Sequence, residues 1–524
     1  MIHCATTFCW GTPLRAALFV TFSVLATATQ AETTLVPEKR EICAVEDDVC
    51  KFRFLDRVAW GASSRDWESV KSRSLNAYLQ EQLGLPHGAR RIPKGNPSAK
   101  AIDPAARLAV DLARVHYSET RRIRAIKDVD QQQMENRANR RKADQAAEQT
   151  THQFIEQSVV SDLQIRERMT WFWVNHFSID VAKGNAGFLL PGYLELIRSH
   201  ALGNFRDMLR EVVKSPSMLV YLDNTRNSKG RINENLAREL LELHTLGANG
   251  GYSQADVTGV ARILTGLGVT FETTAPKLPA ATQKLYIQKD LFKFDPRLHD
   301  ETEVKVLGQR FSGDSVDVVD RLVDMLAEHP STARSIARKL LIYFVEDVPA
   351  ESDVMDIAQV FLESDGDITQ TLVAIFDLPS FRKSLGTPRF KSPIAYVFSA
   401  ARLAKGDEIT TEDVVKLARD LTRLGSRPFR RITPDGYPLQ SSKWIGSGQL
   451  LYRLDVARRI ARSDPSREHK RRVEGRPICL NDESGFGDIL LKTLRTETKK
   501  AIGEATAYES CNVLLYSSPD FMSN

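Results

Sequence analysis

Along most of the chain apolar residues return every three or four positions, and the runs are broken by Gly, Pro and capping residues. That spacing lines apolar side chains along one face of a helix, so the pattern predicts many helices of moderate length and a mainly α, multi-helical body. Residues 162–177 form one such run. Met169, Phe172, Trp173 and His176 share a face there, which turns His176 inward. A second helix opens with Pro191 in its first turn and ends near Gly203. Ser253 with Asp256 three residues on reads as a capping box, starting a helix that ends near Gly268. The period changes to two over 291–294 and 303–307, which bracket 295–300 and predict a small β-hairpin near 291–311. Segment 118–150 is polar on all sides and reads as a solvated helix or connector, and 271–283 reads as a loop. No repeat of solenoid period occurs.

Residues 1–31 have the three-part layout of a cleaved secretory leader: a weakly basic start with Arg15, an apolar run over 16–25, and small residues up to Ala31. A membrane span needs about 20 apolar residues, and neither this run nor any later stretch is that long. The expectation is export, cleavage after Ala31, no transmembrane segment, and a chain that resides in the periplasm or outside the cell. No Cys follows the apolar run for a lipid anchor, and no Arg pair precedes it. Cleavage removes Cys4 and Cys9 and leaves Cys43, Cys50, Cys479 and Cys511, an even number in a compartment that permits disulfides. Three pairings are open. Proximity favours Cys43 with Cys50 and Cys479 with Cys511, both as structural staples. A zinc site is disfavoured because no Cys-x-x-Cys pair is present. The expected organisation is a leader over 1–31, a short segment with a disulfide loop over 32–50, a helical domain over 51–465 with its motif-rich centre at 161–310, and a tail over 466–524.

Composition narrows the classes. Among 524 residues, 72 Lys and Arg stand against 67 Asp and Glu, a net charge of +5, with 42% apolar residues, 29 Gly and 22 Pro. These values exclude collagen-like and low-complexity chains, and so slight a basic excess argues against a nucleic-acid partner.

The densest strings lie in the centre: Trp171-Phe-Trp-Val-Asn-His-Phe177, Ile197-Arg-Ser-His-Ala-Leu-Gly-Asn-Phe205, Asn233-Glu-Asn through Leu246-Gly247, Gly251-Tyr-Ser-Gln-Ala-Asp256, Ala261-Arg-Ile-Leu-Thr-Gly266, and His299-Asp300 with Lys305. Further phrases follow at Thr332-Ala-Arg-Ser-Ile-Ala-Arg-Lys-Leu340, Lys391-Ser-Pro393, Asp435-Gly-Tyr-Pro438 and Trp444, and Leu55-Asp-Arg-Val-Ala-Trp-Gly61 precedes them. Together they resemble the bacterial family called domain of unknown function 1800 over about 50–460. Leu267 stands where the family usually has Trp, and Glu301 where it usually has Gly. The resemblance implies a large exported helical protein, often encoded beside a sulfatase-like family whose product is a candidate partner. It implies no particular reaction and no cofactor.

Chemistry therefore has to be read from side chains. On a regular helix over 233–246, Glu234, Arg238 and Glu242 share one face, Glu239 lies between that face and Asn235, and His244 falls far round from both Glu239 and Glu242. No carboxylate and His pair on this helix can chelate, and neither Glu-x-x-His nor His-Glu-x-x-His is present, so the metal content is left open. Glu234, Arg238 and Glu242 are either i,i+4 ion pairs on a solvated face or, if covered, a buried network forming a pocket wall. His176, His200, His244 and His299 each read singly as structural histidines. As a set they read as side chains that could surround a substrate for acid/base chemistry, with Asn175 and Asp300 as polar neighbours and Lys305 as an anion-binding group. His299 stands out because loops expose functional side chains. Walker, nucleophile-elbow and dinucleotide motifs are absent, and Gly247 to Gly251 reads as a helix stop. Tyr437 and Trp444 are either ligand-facing aromatics or a hydrophobic plug.

The leading reading is a polar pocket lined by His176, His244, His299, Glu239, Arg238, Glu234 and Glu242, binding or hydrolysing an envelope or extracellular substrate. The competing one is a non-catalytic scaffold that docks a partner, with the same residues as a structural network.

Overall fold

Helix starts are set by side chains that satisfy the free amides of the first turn. Ser63 with Asp66, Ser253 with Asp256, and Thr410 with Asp413 form reciprocal capping boxes, and Pro occupies the first turn at Leu190–His200, Pro216–Tyr221, Pro330–Phe344 and Pro393–Ala404. In this computed structural model, which describes residues 42–44, 46–84, 104–463, 479 and 485–524, such devices organise twenty-three α-helices among the described residues. The fold is mainly α, as the three- and four-residue spacing predicts. The expected leader over 1–31 lies outside the described residues.

The Gln164–His176 helix runs through the centre and is buried on every side, not on one face alone. Its polar residues are matched accordingly. Gln164 accepts from the Trp60 amide at 3.1 Å and donates to the Ser158 and Ser161 carbonyls, Arg198 pairs with Glu167 at 3.1 Å, and the Arg168 guanidinium lies between the Trp60 and Tyr343 rings, 4.5 and 4.7 Å from their centroids. The polar segment at 118–150 is divided between the helices Pro104–Arg124 and Val129–Val160. The second keeps a narrow buried stripe of small residues, Ala143 and Ala147 among them, against the Lys183–Leu189 turn. Gly187 is required there, since a Cβ would run into the Ala143 carbonyl.

Both period-two runs are strands, with partners other than each other. β1 (Leu267–Val269) and β2 (Ile287–Lys289) flank β3 (Phe292–Phe294) antiparallel, with Leu267 and Ile287 both opposite Phe294. β4 (Val304–Val306) pairs with β5 (Gln309–Phe311) as a separate hairpin. The short spacer at 307–308, Leu307 and Gly308 at positive φ, closes that hairpin locally, so the 303–307 run takes its neighbour in sequence.

Cys43 is bonded to Cys50 and Cys479 to Cys511, with Cα separations of 5.7 and 5.6 Å. The second bond anchors Tyr508–Ser517, which packs along Ser447–Ser463. The last residues are tied into the body: the Arg389 amide donates to the Asn524 carbonyl at 2.9 Å, and the buried Arg57 guanidinium reaches the same oxygen at 2.9 Å. No helix among the described residues is long and apolar enough to cross a membrane.

Candidate functional site

The Asn235–Glu239 helix does not continue regularly. Leu240–His244 widens into a π turn, closed by Thr245, whose hydroxyl donates to the Leu240 carbonyl five residues back at 2.6 Å. A π turn breaks the 100° phase that places side chains on a regular helix, and it delivers His244 to the inner end of Gln164–His176. The His244 ring is 1% exposed, 6.0 Å from the His176 ring and 5.2 Å from Phe177.

His176 Nε2 lies 3.1 Å from the His244 carbonyl oxygen, and its Nδ1 lies 3.1 Å from Lys339 Nζ. One tautomer satisfies both contacts: Nε2–H donates to the carbonyl, and Nδ1 accepts from the lysine. Lys339 also donates to the Leu243 carbonyl at 2.8 Å. Burial, reinforced by the Lys339 and His244 charges, holds the His176 imidazole well below its usual range. Burial, then the Lys339 charge, pulls His244 down to about 3. Burial alone pulls the Lys339 ammonium down to about 8. At neutral pH this cluster therefore holds two neutral imidazoles beside an amine that is partly unprotonated.

Lys339 lines a cleft of about 770 Å³ between the Pro330–Phe344 helix, the turn from Leu246 to Asn249, and the loop from Asp435 to Gln440 with Lys443. Arg334, Arg338, Lys339 and Lys443 face it against a single carboxylate, Asp435. Arg334 and Arg338 share Glu351 at 2.7 and 2.5 Å, which fixes the two guanidiniums side by side. The covering loop is held at two points. Asn175 Nδ2 donates to the Tyr437 carbonyl at 2.9 Å while the Tyr437 amide donates back to Asn175 Oδ1 at 2.7 Å. Asp347 accepts from the Ser441 and Ser442 amides, both at 2.8 Å, and from Arg389 at 3.1 Å. Burial would raise the Asp347 carboxyl, but those amides and the guanidinium outweigh it and hold it down to about 2. Gly436, at φ +72°, admits no Cβ because the Asn175 carbonyl occupies that space.

The remaining expected residues do not gather in one hollow with these. Glu234, Arg238, Gln254 and Thr258 form a half-exposed network: Arg238 to Glu234 at 3.0 Å, Gln254 to Glu234 at 2.8 Å, Thr258 to Glu234 at 2.8 Å. Only Glu234 with Arg238 is an i,i+4 pair; Gln254 and Thr258 reach Glu234 from the Gln254–Ile263 helix. Glu242 accepts from the Tyr252 hydroxyl at 3.4 Å. Burial first, then the Glu242 and Asp435 charges, push the Glu239 carboxyl above its usual range against the pull of Arg238. His299 is not exposed on its loop. It is 3% accessible, with Nδ1 2.9 Å from the Thr265 carbonyl and Nε2 3.2 Å from that of Gly313, because Gly266 brings the backbone against its Cβ. Asp300 faces Arg262 at 3.8 Å on the same side, and Lys305 is exposed on β4. Asn175 is a loop clamp, not a partner of the His176 ring. Tyr437 lines the cleft, whereas Trp444 is buried and donates to the Pro438 carbonyl. Among the described residues no group of three or more His, Cys, Asp or Glu side chains is placed to hold a metal ion.

Sequence reading misses Lys339. Its signal is the basic set Arg334, Arg338 and Lys339 on a helix whose other side, Ile336, Ala337, Leu340 and Leu341, is fully buried.

Helical body and cleft together define a multi-helical protein built round a basic, histidine-backed hollow. The chain belongs to the family described as protein of unknown function (DUF1800), whose model matches residues 53–523 and so runs on through the last helices. No curated protein and no solved structure matches it.

Proposed function

We propose that this chain is an exported protein whose basic cleft binds an anionic envelope or extracellular ligand, and that the Lys339 and His176 pair moves a proton on that ligand. The carrying observation is Lys339: an enclosed ammonium with no carboxylate partner among the described residues, facing a cleft with three further cations. An uncompensated buried charge costs several kcal/mol, and an anion in the cleft would relieve that cost. Fixed, paired guanidiniums suit a carboxylate or phosphate group, and a neutral imidazole in contact with a weakened amine is a proton-transfer pair. The leader pattern at 1–31 and the two disulfides support export.

The test is calorimetry of the full mature chain with inorganic phosphate and with a uronate oligosaccharide. Arg338→Gln combined with Lys443→Gln should weaken binding at least tenfold with little change in melting temperature. Absence of binding by either ligand, or unchanged affinity in the double variant, sinks the reading.

A second reading, a partner-docking scaffold, draws on the exposed apolar strip Ile445, Leu450, Leu451 and Tyr452 that follows the cleft loop. Co-purification with the product of the neighbouring sulfatase-like family would favour it, and loss of that association in Leu451→Glu would locate the contact.

A further inference from the structure

We propose that Lys339 is an imine-forming residue, taking carbonyl-bearing anions whose acidic group sits on Arg334, Arg338 and Lys443. This deepens the reading of the cleft as an anion site and rests on it. Two of the three ammonium hydrogens are spent on the Leu243 carbonyl and on His176 Nδ1, which leaves one position for the void that Lys339 lines. No carboxylate among the described residues holds the amine in its charged form.

The step balances. The ammonium gives its third proton to water in the cleft, so that its two other hydrogens stay on the Leu243 carbonyl and His176 Nδ1 and the freed lone pair faces the void, where it attacks the carbonyl carbon to form a carbinolamine. The former carbonyl oxygen takes one proton from the attacking nitrogen and one back from water, departs as water, and the C=N bond closes. Amine plus carbonyl gives imine plus water, with nothing oxidised or reduced. With the amine pulled down to about 8, roughly one molecule in ten carries it neutral at pH 7, against fewer than about one in a thousand for an ordinary lysine. The anionic group supplies the positioning that a bimolecular addition lacks.

Pyridoxal 5′-phosphate, an aldehyde bearing a phosphate, tests this against pyridoxine 5′-phosphate, which lacks the aldehyde. The full chain is mixed with substoichiometric pyridoxal phosphate, reduced with borohydride and mapped by peptide mass spectrometry. Expected is labelling of Lys339 at least tenfold above any surface lysine, competed by pyridoxine phosphate, lowered in Arg338→Gln and lost in Lys339→Arg. The ranking of lysines in the unaltered chain needs no variant to fold. Labelling spread evenly over surface lysines while pyridoxine phosphate still binds overturns the imine and leaves the anion site standing. Failure of both compounds to bind overturns both.

Discussion

Asn175 and Tyr437 grip each other through two hydrogen bonds, side-chain amide to backbone carbonyl at 2.9 Å and backbone amide to side-chain oxygen at 2.7 Å. The residue next to His176 thus acts on the cleft's cover. Asn175→Ala removes both bonds and leaves a carbonyl and an amide of the loop to find other partners, at a cost of about 1–3 kcal/mol. Hydrogen exchange should accelerate in 435–443 while the Gln164–His176 helix stays protected. Uniform acceleration across the body would mean that Asn175 supports the core instead of the loop.

Asp347 holds the other end of that loop, and its contribution depends on pH. The folded carboxyl titrates at about 2 against an ordinary value of 3.8, so the stabilisation is full above pH 4 and is lost as pH falls towards 2. Urea midpoints of the unaltered chain and Asp347→Asn should therefore converge between pH 4 and 2. Parallel curves over that window would show that the carboxylate is not what holds Ser441 and Ser442.

The two disulfides should differ in worth. Bridging 32 residues, Cys479 with Cys511 restricts the unfolded chain by roughly 3–4 kcal/mol in the chain-entropy account, and Cys43 with Cys50, seven apart, by roughly 2. Replacing both members of each pair by Ser and measuring melting temperature should give the larger drop for the C-terminal pair. Equal drops would show that packing in the folded state, and not loop closure in the unfolded chain, sets what each bond contributes.

Particular residues show what the sequence makes legible. Spacing alone turns His176 inward, and the capping box at Ser253 and Asp256 forms as its three-residue interval requires. A wheel of 3.6 residues per turn sets His244 beside Ala237, Leu240 and Leu241, all of them buried as His244 is, but it has no means of anticipating the π turn, which depends on what the helix must reach and on Thr245 satisfying the freed carbonyl. Loops usually expose their side chains, which is why His299 reads as exposed, yet the close approach of Gly266 depends on pairing between β1 and β3, a non-local contact. Lys339 is hard to single out because a lysine on a basic helix face is ordinarily solvated. Only the tertiary meeting of its tip with Leu243 and His176 encloses it.

That enclosure has an alkaline signature. The folded amine titrates near 8 and an unfolded one near 10.5, so between those values the unfolded chain holds the extra proton and stability rises with pH. His176 and His244, which pack against the amine, are both depressed and already neutral throughout that window. The part of the rise that separates the unaltered chain from Lys339→Met therefore belongs to Lys339. The denaturant midpoint of the unaltered chain should gain on that of Lys339→Met from pH 8 to 10.5, although the variant also orphans the Leu243 carbonyl and His176 Nδ1, an offset that does not vary over this range. An anion that keeps the amine charged should push the rise to higher pH, so saturating phosphate ought to move the limb in the unaltered chain and leave the variant where it was. A pH-independent gap between the two proteins would mean that solvent reaches the amine freely, and the cleft would then lose its distinctive base.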